Sequence, residues 1–307
     1  MSAAPIFERL ALIGVGLIGS SIARAARAAG VVRSIAASAR SGATRRRVAE
    51  LGIVDQVTET NVAAVAGADL VIVCVPVGQC GAVAAEIGAH LKPGATVSDV
   101  GSVKGSVLKD MAPHLPAGVH FVPAHPVAGT EHSGPDAGFA ELFVNRWCIL
   151  TPPENADPQA VERLAAFWRA LGANVDTMSA EHHDLVLAIT SHVPHLIAYS
   201  IVGTADDLET VTRSEVMKFS AGGFRDFTRI AASDPTMWRD VFLHNKDAVL
   251  EMLGRFNEDV SALARAIRWG EGEKLEALFR RTREIRLGIV AAGQESSEPN
   301  FGRDKRG

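Results

Sequence analysis

Cysteine is scarce here: Cys74, Cys80 and Cys148 are the three in a chain of 307 residues. An odd number without metal-site spacing excludes a disulfide framework and points to free thiols in a reducing compartment. Basic clusters are lacking too. Lys and Arg number 31 against 35 Asp and Glu, for a net charge of −4. The one basic run, Arg45-Arg46-Arg47, reads as a solvated helix face, so the chain shows no footprint for nucleic acid. No apolar run approaches the roughly 18 residues that span a bilayer. Glu8 and Arg9 interrupt the N-terminus where a signal peptide needs an apolar core. A cytoplasmic protein away from membranes is the expectation. Internal repeats are absent, and no appended catalytic domain before residue 7 or regulatory domain after 293 is expected.

What is present is apolar content, 47% of the chain, at a length that suits two compact units. Residues 7–38 read as strand, glycine turn, amphipathic helix and second strand: Leu10 to Gly14 is a buried-strand run, and Ile18, Ile22, Ala25, Ala26 and Ala29 recur at helical spacing. Further strands are expected at 69–76, 95–100, 118–124 and 147–152, with helices near 44–51, 79–91 and 104–112. This alternation predicts an α/β, Rossmann-like, doubly wound parallel sheet. After the Pro-rich hinge 152–158 the period turns helical, over 159–171, 181–206, 208–219, 234–268 and 271–292, with one extended piece at 173–178. The expected division is a dinucleotide-binding domain over 1–153, a helical substrate and dimerisation domain over 154–293, and a disordered polar tail over 294–307.

Gly14-Val15-Gly16-Leu17-Ile18-Gly19 fits G-x-G-x-x-G. It follows a predicted strand and opens a helix inside a βαβ unit, where backbone N–H groups and the helix N-terminus receive a pyrophosphate. Strand two then lacks something. In NAD-binding examples it ends in an acid that holds the ribose 2′-hydroxyl, whereas here Ser38, Arg40, Ser41 and Thr44 follow. Hydroxyls and a guanidinium suit a 2′-phosphate, so NADP is favoured over NAD. Val75 and Pro76 after one strand, and Gly101 after the next, are cofactor-contact candidates by position.

The stretch 120-HFVPAHPVAGTEHSG-134 reads as neither strand nor helix. It follows a sheet strand, so His125 is expected in the same crevice as Ser102. A histidine titrates near 6.5 and takes a proton as hydride leaves, and a neighbouring hydroxyl orients ring or substrate. His120 and His132 are more plausibly structural. His192 and His195 flank Pro194, which breaks helical spacing, and no acid or cysteine completes a set, so no metal is expected. His182 and His183, adjacent in sequence, are expected at the surface.

Five segments in order, GVGLIGSSIA, DVGSVKG, HPVAGTEHSG, SHVPHLIA and GGFRDFTRIAASDPTMW, spread over residues 14–238, resemble the prephenate/arogenate (cyclohexadienyl) dehydrogenase family of tyrosine biosynthesis. The resemblance implies oxidative decarboxylation of prephenate or arogenate, with hydride passing to NAD(P)+. It implies that His125 accepts the proton of the ring hydroxyl, that Ser102 assists, and that Arg229 binds a substrate carboxylate. Glu131, Ser191, His195, Asp226 and Trp238 then fall near the substrate. A planar bidentate donor suits a dicarboxylate, and Arg229 can be one, with Arg225 as competitor. A β-hydroxyacid dehydrogenase or imine reductase shares the outline, but the turn 221–224 lacks the lysine such enzymes use. A non-catalytic NADP sensor has no reason to keep Ser102, His125 and Arg229. Apolar positions at helical spacing over 241–267 predict a homodimer through the helical domain.

Overall fold

In a computed structural model of the chain, residues 4–130, 132–207, 218 and 222–291 are described. They fall into two compact units, one running to Leu187 and including Ala232–Lys246, the other comprising Ala188–Ala231 and the residues from Asp247 on.

The first unit is built on six parallel strands in the order β3-β2-β1-β4-β5-β6. These are Phe7–Ile13 (β1), Val32–Ser38 (β2), Gln56–Thr58 (β3), Leu70–Val73 (β4), Thr96–Asp99 (β5) and His120–Phe121 (β6). Short β-branched and leucine runs form them because both faces are covered: Leu10, Leu12, Ile35, Leu70 and Ile72 are all at most 2% exposed. At roughly 1.5–3 kcal/mol for each fully buried aliphatic side chain, this register is strongly held. The connecting helices are Leu17–Ala29 (α1), Gly42–Leu51 (α2), Asn61–Val65 (α3), Cys80–Ile87 (α4) and Gly105–Met111 (α5). The α/β, Rossmann-like expectation is met.

The expected strand 118–124 divides in two. β6 closes the parallel sheet, and Ala124–Pro126 (β7) then pairs antiparallel with Trp147–Leu150 (β8), which pairs parallel with Asn174–Thr177 (β9). Pro123 marks the step between sheets, its carbonyl accepting from Thr151 N at 2.9 Å. His125 therefore stands on a strand, correcting the expectation that its whole stretch is irregular. Pro158–Ala170 (α6), capped by Asp157 accepting from Gln159 N, sends Leu164, Phe167 and Trp168 into the core that also holds Phe7 and Leu10.

Helical period over 181–206 resolves into Ala180–Leu187 (α7), a π-helical turn at Ala188–His192, and Val193–Asp206 (α8). Pro194 explains the change of pitch, since it brings no N–H to the ladder. By length and composition the run Ala180–Asp206 is apolar enough to cross a membrane, correcting the expectation that no run approaches that length. It nevertheless carries the buried polar side chains His183, Asp184 and His192.

The expected helix 234–268 breaks at Asn245 into Pro235–His244 and Lys246–Arg268. Asn245 turns its side chain inward, where Nδ2 donates to Asp184 O at 2.8 Å. Most of the expected helix 208–219 lies outside the described residues. In the second unit α8 is joined by Gly222–Thr228, Lys246–Arg268 and Gly272–Ala291, the last close to its expected 271–292.

Candidate active site

The glycine turn is shaped by close approaches. Gly14 sits at φ +93°, and a Cβ there would lie 2.6 Å from Cys74 O. A Cβ on Gly19 would lie 2.4 Å from Gly14 O, whereas one on Gly16 meets nothing within 4 Å. Two glycines thus let strand, turn and helix touch, and the middle one keeps an open concavity. Gly16 caps α1 without a side-chain hydrogen bond, and no acid stands in the first turn. The N–H groups at Leu17 and Ile18 and the positive helix end therefore face no competing carboxylate of their own turn, which fits a pyrophosphate. Val75 borders the turn, its Cγ1 3.2 Å from where a Gly14 Cβ would stand. Pro76 is exposed, and buried Gly101 donates its N–H to Asp99 Oδ2 at 2.7 Å.

At the end of β2, Ser38 is buried and donates to Asn61 Oδ1 at 2.7 Å. Ser41 caps α2 by accepting from Thr44 N, and the two hydroxyls lie 2.9 Å apart. Arg40 is exposed. Arg45 Nη1 donates to the carbonyls of Ala39 and Arg40 and so holds this turn in shape.

Beyond the carboxyl ends of β5 and β6 lies a buried polar network. Lys104 and Asp99, both with side chains 0% exposed, form an ion pair, and Lys104 Nζ also donates to Ala124 O at 2.8 Å. A buried pair of this kind is costly to break, roughly 3–5 kcal/mol when one partner is removed. Here it clamps the backbone one residue before His125. His125, 7% exposed, has Nδ1 2.8 Å from His183 Nε2, and His183 Nδ1 is 2.8 Å from Asp184 Oδ1. Asp184 also accepts from Lys104 N and Gly105 N, both at 2.8 Å, at the start of α5. Burial holds the His183 imidazole below the ordinary histidine range; the Asp184 hydrogen bond works the other way, and the Lys104 charge adds to the lowering. Ser102, on the turn before Lys104, is half-buried.

In the second unit His195 Nδ1 lies 2.9 Å from Ser191 O. Its pKa is lowered, first by burial, against the pull of that carbonyl and with the aid of the Arg229 charge. Arg229 is thus the neighbour His195 feels, while Arg225 lies 3.6 Å from Asp226 Oδ1.

A protein-family model described as prephenate dehydrogenase, nucleotide-binding domain, matches residues 22–177, and one described as prephenate dehydrogenase, dimerization domain, matches 179–281. The chain belongs to the prephenate dehydrogenase family. It is 44% identical to the cyclohexadienyl dehydrogenase of Zymomonas mobilis over 92% of this chain and 97% of that protein. With the prephenate dehydrogenase of Bacillus subtilis the identity is 35%, over 96% of this chain and 79% of the other. The crystal structure of prephenate dehydrogenase from Aquifex aeolicus in complex with hydroxyphenyl propionate and NAD+ superposes with a TM-score of 0.85 at 33% identity, covering 92% of this chain and 98% of that one. The protein is accordingly an NAD(P)-dependent dehydrogenase that carries out an oxidative decarboxylation in tyrosine synthesis.

For this family member, the expected site residues separate by unit. The first holds the glycine turn, Ser102, His125 and Trp238, whose buried ring lies 5.5 Å from that of Phe242. The second holds Ser191, His195, Asp226 and Arg229. Glu131 lies outside the described residues. Sequence reasoning missed His183: expected at the surface, it is 0% exposed. Asp184 and the clamp formed by Asp99 and Lys104 were missed with it. The available signal was the triplet His182-His183-Asp184 at the start of a helix, where one of two neighbouring side chains must face inward.

Proposed function

We propose that this chain oxidatively decarboxylates prephenate, arogenate or both, with NADP favoured over NAD, as a cytoplasmic homodimer. In this reading residues 1–153 carry the cofactor, and the helical domain, 154–293, carries substrate recognition and the dimer contact. The observation that carries it is a buried histidine, His125, just beyond the carboxyl edge of a parallel sheet whose first turn is an uncapped glycine cradle. Ligands of such sheets bind along that edge.

Gly14, Gly16, Leu17, Ile18 and Gly19 would hold the pyrophosphate, with Val75, Pro76 and Gly101 along the crevice. The bound nicotinamide supplies a hydride acceptor. His125 draws the proton of the ring hydroxyl as carbonyl character develops at the carbon losing hydride, and Ser102 orients that hydroxyl. As the C–C bond to the departing carboxylate breaks, its electron pair makes the ring aromatic, and His125 returns the proton to the phenolic oxygen. Arg229 matches a substrate carboxylate, with Ser191, His195, Asp226, Trp238 and Glu131 as further substrate contacts. Support for NADP comes from the absence of a carboxylate at the end of β2 and from exposed Arg40 on the following turn.

Steady-state kinetics with each substrate and each cofactor test the reading. Tyrosine or 4-hydroxyphenylpyruvate should form together with equimolar carbon dioxide and reduced cofactor, and no turnover of either substrate would end it. Replacing Ser38 by Asp and Arg40 by Ala together should swing the kcat/KM ratio toward NAD by about ten- to a hundredfold. A strong wild-type preference for NAD would remove the NADP half alone.

A further inference from the structure

The His125-His183-Asp184 chain fixes more than position. Both Asp184 oxygens accept from backbone N–H groups, Oδ1 from Lys104 and Oδ2 from Gly105, each at 2.8 Å. Backbone amides only donate, so this carboxyl group is held as an acceptor at the N-terminus of α5. The third contact, His183 Nδ1 to Asp184 Oδ1 at 2.8 Å, then requires the proton on His183 Nδ1. A neutral imidazole protonated at Nδ1 presents a lone pair at Nε2. Burial of His183, with Lys104 close by, keeps it neutral. His183 Nε2 therefore accepts, and His125 Nδ1, 2.8 Å away, donates.

We propose that His183, held by Asp184, is the positioning residue that sets the tautomer of His125, placing its proton on Nδ1 and leaving Nε2 as the basic nitrogen for the substrate hydroxyl. This deepens the proposed function and rests on His125 as the base. The arrangement differs from an Asp–His pair in that the group behind the base is a neutral ring, so the carboxylate acts on His125 only at one remove. It orients the base without placing a full charge beside it. The rings meet edge to face, their centroids 5.1 Å apart at 67°, with the two nitrogens at 2.8 Å.

The test combines nitrogen NMR of 15N-histidine-labelled protein with kinetics of two variants. The His125 resonances are identified by their loss in His125→Asn. Wild type should show His125 protonated at Nδ1. His183→Phe, which removes the acceptor, should lose that preference and lower kcat by about 10- to 100-fold with little change in substrate KM. His183→Gln, whose amide oxygen can still accept from His125, should restore the Nδ1 proton and most of kcat; a purely space-filling role would predict the opposite ranking. A wild-type His125 protonated at Nε2, or a folded His183→Phe protein with unchanged tautomer or unchanged kcat, overturns the proposal. Should His183→Phe not fold, the wild-type tautomer and the kcat of His183→Gln decide it. Normal turnover by His125→Asn would remove the base and the inference together. That result is recognisable because the wild-type tautomer would still read Nδ1–H.

Discussion

In the proposed mechanism His125 acts as a base while buried, its Nδ1 2.8 Å from His183 Nε2. A neutral imidazole accepts a proton best when its pKa lies near the working pH. His125→Asn, which keeps size and a donor but loses the base, should lower kcat by about 10²–10⁴ while cofactor affinity stays put. Single-turnover rates beside cofactor titrations check this, and a folded variant with near-normal turnover takes His125 out of the mechanism. The buried imidazoles also set a pH limit on stability. His183 and His195 both have pKa values lowered by burial. Above about pH 6.5 they are neutral folded and unfolded alike. Below it the unfolded chain takes up protons that the folded one resists, so stability is lost as the pH falls from about 6.5 toward the lowered values. Melting temperatures should drop between pH 7 and 5, and His183→Gln should flatten part of that slope. While its role came from the family resemblance, the placement of His125 beyond a sheet strand was legible in the sequence. His183 was not, because adjacency to His182 says that the two face apart without saying which one faces in.

At the scale of elements, the glycine turn separates packing from binding in one short stretch. Gly19→Ala places a Cβ 2.4 Å from Gly14 O, so it should cost roughly 1–3 kcal/mol of stability. Gly16→Ala meets nothing within 4 Å and should melt like wild type, yet raise the cofactor KM by filling the open concavity. Thermal melts beside cofactor kinetics separate the two; a Gly16→Ala enzyme with unchanged cofactor KM would show that the concavity is not where the pyrophosphate lies. This turn was readable from spacing and context, as were β1, β2, β4 and β5. The step from β6 to β7 was not, since an apolar run with an internal proline looks alike whether it stays in one sheet or crosses to another. Nor was the break at Asn245: helical period continues through it, and only the partner at Asp184 O, far back in the chain, explains why the ladder stops there.

For the molecule as a whole, the open question is what covers its exposed apolar side chains. Leu250, Val260, Ile267, Phe279, Ile285, Leu287 and Ile289 on the two helices Lys246–Arg268 and Gly272–Ala291, with Trp269 on the turn between them, each leave 44–67% of their surface exposed. That is more than isolated surface residues usually amount to, and the part from Leu250 to Phe279 falls within the match of the dimerization-domain family model, residues 179–281. Sedimentation at micromolar concentration should give a dimer, and Ile267→Asp with Phe279→Asp should shift it toward monomer; a monomeric wild type ends the proposal.

Asp184 ties residue 184 to residues 104 and 105 across spans of 80 and 79 positions, and His183 reaches back 58 to His125. A ribosome has therefore finished the whole parallel sheet, and its glycine turn, before the segment that reaches back to His125 leaves the exit tunnel. During synthesis the N-terminal sheet can take shape first, as N-terminal units generally do, while His125, the proposed base, waits for its partner on a later stretch of chain. On the proposed mechanism, competence to bind precedes competence to react.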